Sequence, residues 1–212
     1  MFFPTYMIYM NNSWLEFAKK VHAIAETGLT YKNDVYDTER YEELKELSFE
    51  MLSQIGETSP EIVGKLFENL KGYQTPKVDV RAVIIEDNKI LMVREKVDGL
   101  WTLPGGWADV GLTPYENTIK EVWEESGLKV EAIRLLSVMD KKFYSHPPTP
   151  WYCYKIFVLC KRVGGELLAG MEIMETAFFE CENLPPLSFE RITMEQIQII
   201  YKLLEEGTVW CD

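Results

Sequence analysis

The sequence predicts an α+β protein: a mixed β-sheet between helices, preceded by a small all-helical N-terminal domain. Three observations carry that prediction. Up to about residue 70 apolar residues recur at helical spacing; composition shifts between Gly72 and Lys77; and from Val78 onward strand-like alternation is interrupted by two strong helix signals. The domains expected are therefore 1–74 and 75–212.

The N-terminal helices are read at 13–26, 37–54 and 59–70. Ser13 precedes Trp14, Asp37 or Thr38 precedes Tyr41, and Ser59-Pro60 is followed by Glu61 and Ile62, each a start signal. Tyr41, Leu44, Leu47, Met51 and Leu52 show the helical spacing of the second. Gly28, Gly56 and Gly72 are expected to end the three.

In the second domain Val78, Val80, Ala82 and Ile84 alternate with Asp79, Arg81, Val83 and Ile85. Glu86-Asp87-Asn88-Lys89 reads as a turn, and 89–94 as the returning strand. Further strands are expected at 135–140, 151–161 and 176–180, with a final helix at 193–204.

Composition narrows the function. A chain of 212 residues, 47% hydrophobic and 26% charged, can bury one good core and a small second domain. Apolar runs such as Ala82-Val83-Ile84-Ile85 fall far short of a membrane span. The segment from Met1 to Met10 lacks the basic start and small-residue cleavage pattern of a signal peptide, so a cytoplasmic protein with no membrane partner is expected. Cys153, Cys160, Cys181 and Cys211 form no Cys-x-x-Cys pair, which points to reduced thiols rather than zinc ligands. A net charge of −12 argues against nucleic acid as a partner, because that binding needs a basic surface. It does not argue against a phosphate substrate presented to a carboxylate-held metal.

The densest functional signal lies at 105–128. Thr113 is an N-cap, Pro114 fits the first helical position, Glu116 completes a capping box and Gly127 supplies the stop. On that helix Glu121, Glu124 and Glu125 stand three and four residues apart, so they can share a divalent cation. Tyr115, Ile119 and Val122 form an apolar stripe about 130° away, expected to pack on the core. Three clustered carboxylates repel one another unless a base or a cation offsets them, and Lys120 is one base. The bland reading is a solvated helix face.

These residues resemble the signature box of Nudix hydrolases: Gly, five residues, Glu, seven residues, then Arg-Glu-aliphatic-x-Glu-Glu-x-Gly-aliphatic. Its Gly falls on Gly106, its closing run on Lys120-Glu121-Val122-Trp123-Glu124-Glu125-Ser126-Gly127-Leu128, and Leu103-Pro104-Gly105 resembles the family's lead-in. Leu112 stands where the first glutamate is expected. Lys120 replaces the arginine that in the family braces a catalytic carboxylate, keeping the charge but losing the bidentate fork. With the helical first domain and the segment Tyr-Lys-Asn-Asp-Val-Tyr-Asp-Thr-Glu-Arg-Tyr at 31–41, nearly the whole chain resembles a bacterial Nudix group whose usual assignment is ADP-ribose or CDP-choline pyrophosphatase activity.

The resemblance implies a Mg²⁺- or Mn²⁺-dependent pyrophosphohydrolase acting on a small-molecule nucleoside diphosphate derivative. Glu121, Glu124, Glu125 and the Gly106 carbonyl are the implied metal ligands, one of the carboxylates orients or deprotonates the water, and Lys120 is counted with the catalytic set. Glu172, or Glu175, could add a carboxylate from a later loop; either could equally be a solvated acid. Trp107 and Asp109 follow the glycine pair and are candidate substrate contacts, with core packing the alternative for Trp107. Arg81 and Arg94 could meet phosphates or pair with acidic neighbours. His146, in Tyr-Ser-His-Pro-Pro-Thr-Pro, is a candidate base or substrate contact on a loop. His22 reads as structural. The helical domain, with its Met1 to Met10 segment, is read as a homodimerisation element or a lid over the pocket. Two other functions use the same residues: a Nudix-like nucleotide sensor without hydrolysis, and an RNA exonuclease.

Overall fold

The computed structural model describes residues 13–68 and 70–212. The chain divides into two compact units. One runs up to Thr75 and includes Pro148–Trp151; the other comprises Pro76–Pro147 and Tyr152–Asp212.

The first unit holds α1 (Ser13–Tyr31), α2 (Val35–Ile55) and α3 (Pro60–Phe67). Leu15, Ala18, Leu52, Val63 and Phe67 form its core. His22 lies among them, its ring 5.3 Å from that of Phe49 and 4.2 Å from that of Phe67, with Nδ1 3.3 Å from Ser48 Oγ. Burial drives its pKa down to about 4, which keeps it neutral and structural. Glu26, also buried, pairs with Lys45.

Three sequence expectations need correction here. Gly28 does not end α1, which continues to Tyr31; a Cβ at Gly28 would sit 2.3 Å from the Tyr41 ring, so the glycine is where α2 crosses closely. Asp34, not Asp37 or Thr38, caps α2, accepting the Asp37 amide at 2.8 Å. Gly72 lies beyond the end of α3, which stops at Phe67 with Glu68 as its cap; Gly56 does cap α2. The Met1 to Met10 segment lies outside the described residues.

The second unit contains β1 (Lys77–Glu86), β2 (Lys89–Glu95), β3 (Trp101–Thr102), α4 (Pro114–Ser126), β4 (Leu128–Asp140), β5 (Cys153–Gly165), β6 (Ile173–Glu180), α5 (Met194–Glu206) and β7 (Trp210–Cys211). The strands form a mixed sheet in the order β3-β2-β1-β5-β4-β7, with β6 on the other side of β2. Asp87 and Asn88, at φ 49° and 60°, make the tight turn that joins β1 to β2. One core, with Val83, Leu103, Phe157 and Leu136, lies under Ile197 and Ile200 of α5. The other, with Ala82, Ile84, Leu91 and Val158, lies under Val122 of α4.

Three strands were longer than their alternation suggested, β6 among them, which begins at Ile173 rather than 176. β4 begins at Leu128 rather than 135, because register shifts at Lys129/Val130, Ala132/Arg134 and Leu135/Ser137 break the two-residue period. β5 runs past 161 to Gly165. No helix among the described residues is long and apolar enough to cross a membrane.

β1 parts from β2 soon after the hairpin, since their pairing holds at Ile85↔Ile90 and Glu86↔Lys89. The edge this exposes is taken by residues 104–108, which run beside β1. Ala82 N donates to Pro104 O at 2.8 Å, Val80 N to Gly106 O at 2.8 Å, and Ala108 N to Val78 O at 2.9 Å. The glycine segment is thereby fixed to the centre of the sheet.

Candidate functional site

Helix α4 is built as its sequence reads. Thr113 and Glu116 form a capping box, Pro114 opens the first turn, and Gly127 closes the helix at φ 69°. Which face it buries was not foreseen. Val122 is fully buried, but Tyr115 and Ile119 are exposed; the buried neighbours are Asn117, Thr118 and Ser126. Polar residues can be buried there because each hydroxyl finds a carbonyl one turn back: Thr118 Oγ1 donates to Pro114 O at 2.7 Å and Ser126 Oγ to Val122 O at 2.6 Å. Asn117 accepts the Asp109 amide at 2.8 Å and donates to the carbonyls of Asp109, Leu112 and Thr113 at 3.3 Å, tying the loop before the helix to its first turn.

This rotation separates the three glutamates. Glu121 and Glu125 flank the buried face and are half-buried, while Glu124 is exposed. Glu125 Oε2 accepts the Gly105 amide at 2.8 Å. A Cβ on Gly106 would lie 3.4 Å from both Glu121 carboxylate oxygens, so a glycine there leaves the carboxylate room. Glu124 is instead held by Lys120 at 2.8 Å, and the same ammonium reaches Asp109 at 3.2 Å. Among the described residues no three histidine, cysteine, aspartate or glutamate side chains are gathered closely enough to hold a metal ion as they stand.

The electrostatics follow from this layout. Burial raises the Glu125 pKa to about 8, with Glu121 and Glu95 adding to the rise and Arg81 and the Gly105 amide opposing it. Glu121 is raised as well, chiefly by burial. Lys120 moves up because it donates to Glu124 and Asp109. Half-buried carboxylates that repel one another beside a glycine cradle form a hard oxygen donor set, which suits Mg²⁺ or Mn²⁺. Gly106 O already accepts the Val80 amide and keeps one lone pair.

The remaining candidates are distributed unevenly. Arg81 is not placed to meet phosphate: it is buried, its Nε and Nη2 each lie 2.8 Å from an oxygen of Asp79, and its Nη1 donates to Leu103 O at 3.0 Å. Of the two readings the sequence left open for Arg81, the acidic neighbour holds: Asp79, two residues away on the same face, claims the guanidinium. Lys155 of β5, in register with Asp79, adds a third bond at 2.8 Å. Burial opposes the charge on Asp79, but Arg81 and Lys155 outweigh it and hold the pKa near 2. Burial lowers Lys155 to about 8.

Arg94 donates to Gly99 O at 2.8 Å and lies 3.8 Å from Glu175, which is inside β6 rather than on a loop. Glu172 is exposed just before β6; its carbonyl accepts the Lys96 amide. Its charge adds to the rise of the Glu95 pKa. Trp107 is half exposed, with the Lys77 ammonium 5.3 Å from its ring centre. His146 does not stand as a free base: its Nδ1 is 2.6 Å from the Phe189 carbonyl, and burial lowers its pKa to about 4.

Three residues escaped the sequence reading. Asn117 looks like an ordinary helix polar residue. Lys155 is one lysine in an apolar strand. Glu95 closes β2, is buried, and faces Arg191 at 3.0 Å; its pKa is raised by burial, with Arg191 and Arg81 opposing. A signal was available for Lys155 and Glu95, since a charged residue inside or just after an apolar strand is buried only when paired.

Comparison with known proteins places these residues in context. A family model described as "NUDIX domain" matches residues 75–201, and one described as "UDP-X-like, N-terminal oligomerisation domain" matches residues 12–67. A Bacillus subtilis (strain 168) protein provisionally named ADP-ribose pyrophosphatase YjhB is 47% identical over 198 residues, covering 93% of this chain and 95% of that protein. An ADP-ribose pyrophosphatase of Methanocaldococcus jannaschii is 38% identical over 124 residues, covering 56% of this chain and 70% of that one. Among solved structures, a UDP-X diphosphatase is 37% identical with a TM-score of 0.63, covering 95% of this chain and 98% of that one. An ADP-ribose pyrophosphatase from Streptococcus suis 89-1591 is 40% identical with a TM-score of 0.59, covering 65% of this chain and all of its own.

Proposed function

The chain belongs to the Nudix hydrolase family, and from that premise we propose that it hydrolyses the diphosphate of a nucleoside diphosphate linked to a second moiety, of the ADP-ribose, UDP-linked or CDP-choline type. The products are a nucleoside monophosphate and the phosphorylated second moiety. The observation that carries this reading is the pair Glu121 and Glu125, half-buried and turned toward Gly105–Gly106. The names of its relatives, with ADP-ribose and UDP-linked compounds in them, support the substrate class.

Glu121 and Glu125 would hold a divalent cation, with the free lone pair of Gly106 O beside them, and Glu124 joins them by turning from Lys120. When bound, the metal supplies positive charge to the diphosphate and a more acidic water. The chain's own residues do the rest. Gly105 N fixes the Glu125 carboxylate in one orientation. A carboxylate of the trio takes a proton from the attacking water. Lys120 steadies Glu124, and Trp107 offers a half-exposed ring for a nucleobase.

We place the hydrolase domain at 75–212 and read the helical domain, 1–74, as the element that joins two copies. The exposed α1 residues Trp14, Phe17, Ile24 and Tyr31, three or seven residues apart, supply an apolar face for it.

The test is substitution. Glu125→Gln and Glu124→Gln are expected to lower turnover of ADP-ribose by about a hundredfold or more, the scale of lost general-base or metal function, with an unchanged circular dichroism spectrum. Near wild-type turnover in both contradicts the proposal.

A further inference from the structure

Asp79 does not need Arg81 to be paired. Lys155 Nζ already lies 2.8 Å from Asp79 Oδ1, and both side chains are buried, so that carboxylate has a buried partner of opposite charge. The buried Arg81 fork takes the same carboxylate again, Nε on Oδ1 and Nη2 on Oδ2, both at 2.8 Å. Two cations then share one anion. A buried cation in excess is strongly unfavourable unless other anions face it.

Those anions are the carboxylates around the glycine segment. Burial works against the charge on Arg81, but Asp79, Glu125 and Glu95 outweigh it. Glu125, Glu121 and Glu95 are each raised by burial, and Arg81 opposes the rise in all three. The packing agrees: a Cβ at Gly105 would stand 3.0 Å from Arg81 Cα, and the Gly105 amide donates to Glu125 Oε2 at 2.8 Å. Gly105 therefore lies between the Arg81 backbone and the Glu125 carboxylate.

The third nitrogen of the fork turns the other way. Arg81 Nη1 donates to Leu103 O at 3.0 Å and reaches Thr102 Oγ1 at 3.4 Å, and Thr102 and Leu103 are fully buried. Leu103 stands two residues before Gly105. The backbone bonds that continue the attachment, from Val80 N to Gly106 O and from Ala82 N to Pro104 O, come from the residues on either side of Arg81. A planar guanidinium can hold a carboxylate with two nitrogens and a carbonyl with the third in one rigid piece, which an ammonium cannot do.

We propose that Arg81 is a positioning residue: its guanidinium, set by Asp79 and Lys155, holds the Leu103 carbonyl so that the glycine segment presents the Gly105 amide to Glu125. The effect on turnover rests on the hydrolase reading, but the hold on the segment is measurable without metal, substrate or turnover.

Hydrogen exchange of the metal-free full chain, read by peptide mass spectrometry, is the test, with kinetics on ADP-ribose and Mg²⁺ run in parallel. The amides of Val80, Ala82, Gly105 and Ala108 all bond across the attachment, so peptides covering 78–82 and 103–108 report on it. Arg81→Met is expected to fold, because Asp79 keeps Lys155. It should speed exchange in those peptides by about tenfold or more, the scale of a lost hydrogen bond from a charged donor. It should also lower kcat by about a hundredfold, as a misplaced catalytic group does, while KM stays within about threefold of wild type because Arg81 does not touch the substrate. Arg81→Lys keeps the charge but not the fork and should speed exchange as well. The control is Arg134→Met: Arg134 donates to Thr208 O at 2.8 Å and to Leu203 O at 3.2 Å, so its loss should lower thermal stability and leave both peptides and kcat unchanged. A raised KM at unchanged kcat in Arg81→Met, or equal exchange in Arg81→Met and Arg134→Met, overturns the proposal. Should Arg81→Met fail to fold, Arg81→Lys decides the matter, and wild-type exchange in that variant overturns it. Hydrolysis by wild type with unaltered exchange and kcat in the Arg81 variants removes the positioning role alone; faster exchange in those variants, without hydrolysis of any compound by wild type, supports the hold on the segment and removes the hydrolase reading.

Discussion

Gly105→Ala is the substitution on which the account of the glycine segment depends most. Gly105 sits at φ +139°, where an L side chain is strained by about 1–3 kcal/mol. An alanine Cβ would stand 2.0 Å from Val80 O and 2.9 Å from the Val80 carbonyl carbon, both backbone atoms that cannot rotate away. The segment must therefore move off β1, at the expense of the bonds from Ala82 N to Pro104 O, from Val80 N to Gly106 O and from Gly105 N to Glu125. Losing two of the three adds about 2 kcal/mol, for a total of about 3–5 kcal/mol, which is survivable for a domain stable by about 5–15 kcal/mol. Thermal unfolding should fall by roughly 10–20 °C, and ADP-ribose turnover by about a hundredfold or more as Glu125 loses its anchor. Gly111→Ala is the control, because φ is +92° there but nothing lies within 4 Å of the added Cβ. It should lose only about 1 kcal/mol of stability, through backbone strain, and keep its turnover. Indistinguishable behaviour of the two variants refutes the reasoning.

Gly170→Ala tests the other end of the helix: a Cβ would stand 1.9 Å from Glu124 O, where Gly170 N now bonds to Glu125 O at 3.1 Å. Denaturant unfolding should show a loss of about 1–3 kcal/mol together with reduced turnover; an unchanged midpoint contradicts the close packing. His22 predicts an acid-side loss of stability. Its folded pKa, about 4, lies below its unfolded value of 6.5, so the unfolded chain binds more protons between those values and stability falls as pH drops through that window. The loss reaches at most about 3 kcal/mol; His22→Gln should flatten the slope of urea midpoints between pH 6.5 and 4, and an unaltered slope argues against it. Ile24→Glu on the exposed α1 face should weaken self-association by about a hundredfold or more, since each copy loses about 1.5–3 kcal/mol of apolar burial. Sedimentation velocity checks this, and a monomeric wild type removes the dimer.

Local signals in the sequence carried well where the physics is local. The cap, proline, capping box and closing glycine of α4 each act within one helical turn, and all four residues do in the structure what their types allow. The hairpin at Asp87-Asn88 is similar. What did not carry were choices among several locally allowed partners, some of them made by distant residues. Gly28 reads as a helix stop until Tyr41 is laid across it. The face α4 buries depended on whether Thr118 and Ser126 could satisfy their hydroxyls on the helix itself, and they do. The spacing of Glu121, Glu124 and Glu125 establishes that they are neighbours, but the capture of Glu124 by Lys120 and of Glu125 by Gly105 divides them. For Arg81 the sequence left phosphate and an acidic neighbour open, and Asp79 takes it; Lys155, which shares that carboxylate, was out of reach of the sequence because it lies far along the chain, on a strand that only the fold brings beside Asp79.

The most direct test of the central claim is hydrolysis by the purified full chain of a panel of ADP-ribose, UDP-linked sugars and CDP-choline, with Mg²⁺, Mn²⁺ or EDTA and products identified by mass spectrometry. The account predicts cleavage of at least one compound to a nucleoside monophosphate and a phosphorylated second product, abolished by EDTA. No cleavage of any compound with either metal, alongside tight binding of one of them, would contradict it and make the protein a nucleotide sensor.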